Sequence, residues 1–428
     1  MKSAGSVLVI VLWIGLGLVA ITLYFAHSMS MELRAADNRV AGQSADQAIE
    51  GAARYVTYIL TTYATNGAMP DPSLYRSEAV PIGDSRFWLI GRTTNSNTRE
   101  TQVTFGLIDE SSKLNLNTVT SNMLYWVPRM TTDLSQAIVD WRDTNGTGST
   151  QMYYSMAKSP YRMKASPFES VEEIRLLYGA DPLIVGGEDL NRNGILDGNE
   201  KDEDGDGKAD GGLIDMFTVF SREPNMHSDG SSRTNVMDNA SRLQLLQAKL
   251  GTSRGMEVNN LLGTTQIRSP LQFYVLSRMT PTEFGLVYGD LAFSTNTFTE
   301  GRVNINTASA AVIGCLPGMD VNTAQQVVDY RRSNPGSLTS PGWIVEALGA
   351  NSAILQTLQA GDYVTTQTYQ FTADIAAVGP FGRGYRRVKF IFDISDGTVR
   401  IVSRQDLSRL GWALGDKVRE TLLAKDFR

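Results

Sequence analysis

Nineteen consecutive residues, Val7 to Phe25 (VLVIVLWIGLGLVAITLYF), carry no ionisable side chain. At about 1.5 Å rise per residue such a helix covers roughly 28 Å, close to the hydrocarbon thickness of a bilayer. The run is longer than a secretory h-region, and His27-Ser28-Met29-Ser30-Met31-Glu32 offers no small-x-small cleavage pattern, so the segment reads as retained. The helical pattern continues without a Pro or a turn cluster through MELRAADNRVAGQSADQAIEGAARYVTYIL. Leu33, Ala36, Val40, Ala48, Ile49, Ala52, Val56 and Ile59 fall on or near one stripe of 3.6 period. One helix is predicted to begin in lipid and end in a soluble domain.

From Ala79 to Asp109 the period changes to two. RFWLIGRTT and TQVTFGLID alternate, are rich in β-branched and aromatic residues, and flank a polar NSNTRE turn region, which predicts a hairpin. The same texture returns only near the C-terminus, in YQFTADIAAV, RRVKFIFDIS and TVRIVSRQD, with GPFGRG and SDG as breakers. The pattern between them is mostly helical. The expectation is an α+β fold in which a sheet is divided by an inserted helical domain.

The helical middle contains a repeat. Leu114-Asn115-Leu116-Asn117-Thr118 matches Val303-Asn304-Ile305-Asn306-Thr307 at an offset of 189, and without a gap the same offset pairs Pro128 with Pro317, Ile138 with Val327, Asp140 with Asp329, Trp141 with Tyr330 and Arg142 with Arg331. Each copy reads as a capped helix, a tight Pro turn and a second helix, a helix-hairpin-helix unit of SAM-like type. Such units often bind DNA through a Gly-x-Gly turn that lets backbone N–H groups approach a phosphate. Here the turns are Val127-Pro128-Arg129-Met130-Thr131, with no glycine, and Leu316-Pro317-Gly318-Met319-Asp320, with a carboxylate in place of the second glycine. A structural or protein-contact role is expected, with no nucleic acid.

Charge and composition narrow the function further. The net charge of −6 resides entirely in Glu188 to Asp210, where nine acids face three bases, and the neutral remainder lacks the basic face of a nucleic-acid binder. One cysteine, Cys315, excludes an intrachain disulfide, and two histidines, His27 and His227, leave little for a histidine triad or a zinc site. No convergent catalytic set is evident, so no enzymatic activity is expected.

The acidic segment EDLNRNGILDGNEKDEDGDGKADGG holds two metal-loop patterns head to tail. Asp189, Asn191, Asn193, the Ile195 carbonyl, Asp197 and Glu200 occupy ligand positions 1, 3, 5, 7, 9 and 12 of an EF-hand-type loop, with Gly194 at the turn position. Asp202, Asp204, Asp206, the Lys208 carbonyl and Asp210 fill positions 1 to 9 of the second; its position 12 is Leu213, and Asp215 is the nearby substitute. Hard oxygen donors select Ca2+, two ions in all, over zinc or copper. The loops leave no room for paired helices between them, so a fixed staple is expected in place of a regulatory EF-hand.

Met1 to Gly5 carries one positive side chain and ends in Gly directly before the apolar run. That order resembles the leader and N-terminal helix of type IV pilins and type II secretion pseudopilins. The resemblance implies cleavage by a prepilin peptidase between Gly5 and Ser6 and methylation of the new N-terminus; the alternative is an uncut signal anchor. Most of these proteins carry Glu at mature position five, where this chain has Ile10. The members that typically lack it are the K-type minor pseudopilins, the general secretion pathway protein K family, which this chain also resembles in KLNLNT and SPFESVEEIRLL. The resemblance implies a tip subunit of the type II secretion pseudopilus that serves export across the outer membrane. It implies calcium binding, association with I-type and J-type minor pseudopilins, and a single pass through the inner membrane with the N-terminus cytoplasmic and the bulk periplasmic. The implied organisation is a leader 1–5, a helix 6–63 with its membrane part at 7–25, and sheet segments 64–112 and 362–428. Between the sheet segments an inserted domain, 113–361, carries repeats near 113–178 and 302–349 and calcium loops 189–213. A minor pilin of a type IV pilus is the nearest alternative; a DNA-binding competence protein is the alternative of another class.

Overall fold

The computed structural model describes residues 4–64, 67–92, 102–349 and 352–424. Residues 1–3 of the expected leader and the whole of the expected NSNTRE turn, 95–100, lie outside them. A single helix runs from Ala4 to Tyr63. Its first half is apolar and exposed, Trp13 at 79% and Phe25 at 61%, and it is long and apolar enough to cross a membrane. From Ala41 onward one face is buried: Ala45, Ala48, Ile49, Ala52, Val56 and Ile59 pack on Phe371, Ala373, Ile375, Phe390 and Phe392 of a sheet. The predicted stripe is corrected at its start, since Leu33 and Val40 remain exposed. The sheet ends where the Gly379–Gly384 turn abuts the helix backbone: a Cβ on Gly384 would lie 2.3 Å from the carbonyl carbon of Ala41. Upstream of that point no described side chain from Val7 to Val40 is buried, and the helix meets the turn through the Asp37–Arg383 ion pair at 3.5 Å.

The sheet is antiparallel, in the order Val80–Ile82, Ser85–Ile90, Gln370–Val378, Arg386–Asp393 and Arg400–Asp406, and Ile108–Asp109 also pairs with Gln370–Val378. The two runs of the predicted hairpin meet where they are described: Ile90 bridges Phe105, with Gly91 N–H donating to the Thr104 carbonyl and Gly106 N–H to the Leu89 carbonyl, both at 2.8 Å. Ser85–Ile90 also pairs with Val80–Ile82 across Gly83-Asp84 and with the C-terminal strand Gln370–Val378, which is buried along its whole length. On the face away from the long helix, Trp88, Ile90, Ala376 and Val378 pack with Ile195, Ala413 and Leu414.

The elements between residues 114 and 365 share a separate core. Within it the two repeat copies make the same hydrogen bonds. Leu114–Asn115 pairs in parallel with Phe217–Thr218, and Val303–Asn304 with Val364–Thr365. The side chains of Asn115 and Asn304 accept the amide N–H groups of Asn117 and Asn306, at 2.9 and 3.0 Å. Helices Ser121–Tyr125 and Thr132–Arg142 follow in the first copy, Ala310–Ile313 and Val321–Ser333 in the second. At the end of each longer helix an arginine folds back: Arg142 donates to the carbonyls of Leu116 and Val119, Arg331 to those of Ile305 and Ala308. Asp320 caps its helix by accepting the N–H of Thr323 at 2.7 Å, and Thr131 does the same for Leu134 at 3.2 Å. The carboxylate in the second turn is thus engaged in helix capping.

Asp109 and Glu110 join the sheet to both repeats. Asp109 accepts from Ser111 N–H, Asn304 Nδ2, Thr307 Oγ1 and Thr368 Oγ1, at 2.5 to 2.7 Å. Glu110 accepts from Thr218, Thr372 and Lys113. Burial pushes Asp109 up to about 6, its neutral donors offsetting only part of the lost hydration. Glu110 is equally buried, but the Lys113 ammonium at 2.7 Å and the hydroxyl donors bring it down to about 2.

Two outcomes follow from this packing. Arg331→Met should lower stability by roughly 3 kcal/mol, because two buried carbonyls lose their donor; unchanged chemical denaturation would remove the brace role. Asp109 sits above its unfolded value, so its contribution is fully present below about pH 4 and lost as pH rises through about 6, whereas Glu110 contributes constantly above its ordinary value near 4.5. Relative to Asp109→Asn, the wild type should therefore lose roughly 2–3 kcal/mol between pH 4 and 6.5. A pH-independent difference between the two would contradict this.

Candidate metal centre

A short helix, Pro182–Gly186, capped by Asp181, delivers the chain into the acidic segment. The segment closes on itself. The N–H groups of Glu188 and Asp189 both donate to the carbonyl of Asp210, at 2.7 and 3.3 Å. Gly187 and Gly212 make the closure possible: a Cβ on Gly187, at φ 69°, would stand 2.0 Å from the Asp210 carbonyl oxygen, and one on Gly212, at φ 63°, would stand 2.4 Å from Gly187 N.

Inside the closure both loops fold their acids inward by the same backbone bonds. Asp189 accepts the N–H groups of Asn193 and Gly194, at 2.9 and 2.7 Å, and Asn193 Oδ1 accepts that of Ile195 at 2.9 Å. In the second loop Asp202 accepts from Gly205 and Gly207, at 2.6 and 2.9 Å, Asp204 from Asp206 at 3.1 Å, and Asp206 from Lys208 at 2.7 Å. In each loop the residue at position 1 receives the N–H of position 6, and that at position 5 the N–H of position 7. Glu200 reaches back across the first loop to the N–H groups of Asn191 and Asp197, at 3.1 and 3.0 Å. Asp197 accepts the side-chain amides of Asn191 and Asn193.

Burial pushes the carboxyls of Asp189, Glu200 and Asp210 up from their ordinary values, and neighbouring carboxylates add to it. Arg92 opposes the rise at Asp189, and Arg129 at Asp210. Two buried oxygens of the segment, Asn191 Oδ1 and Glu188 Oε2, have no partner among the described residues. An all-oxygen set turned inward, short of positive charge and with unpartnered buried acceptors, fits a hard divalent cation. The residues available to hold one are Asp189, Asn191, Asn193, Asp197 and Glu200 in the first loop and Asp202, Asp204, Asp206 and Asp210 in the second, with the carbonyls of Ile195 and Lys208.

Two placements differ from the sequence pattern. Asp215 faces Arg92 at 3.3 Å, beside Asp189, and is not gathered into the second loop. Glu188, outside both patterns, is almost fully buried, and one oxygen of its carboxylate lies within 4.8 Å of one oxygen each of Asp202 and Asp204, which are themselves that close. The loop spacing places ligands only from position 1 onward, and so gives no signal for a residue one step before it.

The loops also bridge parts of the fold. Buried Arg387, paired with Asp374 at 2.6 Å, donates to the carbonyls of Asn191 and Arg192, and Arg92 donates to Arg192 at 2.6 Å. Ile195 inserts beside Trp88 and Leu414. On the other side Arg129, in the turn of the first repeat, reaches Asp210 at 2.8 Å and Glu188 at 3.3 Å. The first loop is thus pinned to the sheet and the second to the first repeat. Gly5 and Ser6, the expected cleavage pair, lie within the first turn of the long helix.

Residues 112–186 match the family model described as Type II secretion system (T2SS), protein K. No curated protein matches the chain. A solved chain in the GspK-GspI-GspJ complex from the enterotoxigenic Escherichia coli Type 2 Secretion System is similar at 8% identity and a TM-score of 0.39, over 90% of this chain and 99% of that one. The residues matched by the protein K model hold the first repeat, with its KLNLNT strand and SPFESVEEIRLL segment.

Proposed function

We propose that this chain is a K-type minor pseudopilin of a type II secretion system that caps the pseudopilus at its tip, in a small complex with I-type and J-type minor pseudopilins, as a structural part of export across the outer membrane. The observation that carries the reading is the N-terminal helix. Its apolar half is exposed and carries no carboxylate before Glu32, so Ile10 offers nothing to the N-terminal amine of a subunit stacked above. Its exposed side chains, with Gly15 and Gly17 open to close approach, suit lateral packing against other apolar helices in lipid. Processing between Gly5 and Ser6 by a prepilin peptidase, anchoring in the inner membrane and a periplasmic bulk complete the reading, in which the chain performs no catalysis. Full-length protein in detergent, mixed with the I-type and J-type subunits of its own system, should elute as a one-to-one-to-one complex on sizing with light scattering. Filaments of this chain alone, or no association with either subunit, would defeat the tip assignment.

In the same proposal the acidic segment holds two Ca2+ ions as a staple, the first through Asp189, Asn191, Asn193, Ile195, Asp197 and Glu200 and the second through Asp202, Asp204, Asp206, Lys208 and Asp210. Calcium would supply the positive charge that the carboxylates lack and hold the sheet and the first repeat on one clip. Binding to the folded state alone stabilises it by mass action, about 2.7 kcal/mol when the ion is at a hundredfold its dissociation constant. Calorimetry in detergent should show a melting temperature several degrees lower in a calcium chelator than in calcium chloride. Glu200→Ala should reduce that gap. Identical melting curves with and without calcium would count against the staple.

A further inference from the structure

Leu213, at position 12 of the second loop, is buried in the helical core, so that loop has no closing carboxylate within its own pattern. Asp215 is committed to Arg92. The group that does face the loop is Glu188. Its Oε1 accepts the N–H of Glu203 at 3.0 Å, its Oε2 is buried with no partner among the described residues, and one of its oxygens lies within 4.8 Å of one oxygen each of Asp202 and Asp204.

Beside this group stands Arg129. Its guanidinium lies 2.8 Å from Asp210, 3.3 Å from Glu188 and 3.4 Å from Asp204. At the offset of 189 it corresponds to Gly318, and the two share a positive φ, 59° and 81°. Glycine adopts that conformation freely, whereas a residue with a Cβ keeps it only where its contacts compensate. The first repeat thus carries an arginine where the turn itself favours glycine, and the arginine is spent on the acidic loop.

We infer that Glu188 is the closing ligand of the second loop, and that Arg129 is an internal cation that holds its carboxylates together and that a bound divalent ion displaces. Glu188, Asp202, Asp204 and Asp210 bring four negative charges against the one on Arg129, so exchanging a monocation for a dication improves the balance. The Arg129 side chain is 34% exposed and can turn out to solvent when its place is taken. Filling of the loop is then coupled to the turn between the two helices of the first repeat, since the contacts that compensate its backbone are the ones the ion removes. The inference rests on the calcium reading and adds to it a ligand outside the motif and a competitor built into the chain.

Titration calorimetry with calcium chloride on the full chain in detergent separates the possibilities. The wild type should bind two ions. Glu188→Gln should weaken one of the two by about tenfold or more, through loss of a full charge at ligand distance, and leave the other in place. Arg129→Gln should tighten that same site by about tenfold, because a competing charge is gone. Asp215→Asn should leave it unchanged. Wild-type affinities in Glu188→Gln would overturn the ligand assignment. Unchanged or weaker binding in Arg129→Gln would make the arginine a brace and overturn the competition. Should the buried Glu188 variant fail to fold, as its melting curve would show, the sign of the Arg129 effect decides alone. A wild type that binds no calcium would defeat the calcium reading and this inference with it, whereas two ions bound with the wrong response to Glu188→Gln or Arg129→Gln would overturn the inference alone.

Discussion

The fold depends on two adjacent carboxylates at the exit of a short strand. Asp109 and Glu110 are both almost fully buried, and between them they receive hydrogen bonds from the central strand region, from the strand paired with the first repeat, and from the Asn-Thr start of the second repeat. A buried carboxylate stripped of water and left unpaired costs several kcal/mol, so each donor is required in place. The two side chains therefore fix the angle between sheet and helical region more narrowly than apolar contact could, because hydrogen bonds are directional and apolar contacts are not. Arg222 adds a second tie of the same kind, from the helical region to Asp393 on the sheet at 2.6 Å.

The acidic segment makes a third link by another chemistry. Its ends meet through Gly187 and Gly212, its first loop is clamped to the sheet by Arg387 and Arg92, and its second is held by Arg129 from the first repeat. In a chain with a single, buried cysteine no covalent cross-link is available within the fold. A loop that gathers nine acids between two structural layers is stable only with positive charge supplied to it, from arginines or from an ion.

The long helix meets two solvents. Downstream of Ala41 it is an ordinary amphipathic helix, with alanines against the sheet that let the two approach closely. Upstream its apolar side chains face outward all round, which in water would be a liability and in lipid is the stable arrangement. The change occurs over a single turn because the sheet ends at the Gly379–Gly384 corner.

The sequence by itself determined what rests on local chemistry. The membrane-length helix, the strand texture near both ends, the repeat at offset 189 and the inward-folding positions of both loops were legible because apolar period, helix caps and ligand spacing are properties of neighbouring residues. Even the paired arginines, Arg142 and Arg331, were visible as a match, although nothing in the sequence said that each folds back on its own Asn-Thr strand. Tertiary structure decided the rest. Ser85–Ile90 meets its expected neighbour at Ile90 and Phe105 but also pairs with a strand nearly three hundred residues away, because the alternation of one strand specifies a face and not a partner. Leu33 and Val40 lost their packing because the end of the sheet is a boundary set by a distant turn. Glu188 joined the second loop, and Asp215 left it for Arg92, because which carboxylate reaches a site depends on where the chain crosses itself, and that crossing is fixed by the Gly187 and Gly212 contact and the Arg129 turn, far apart in sequence and adjacent only once folded.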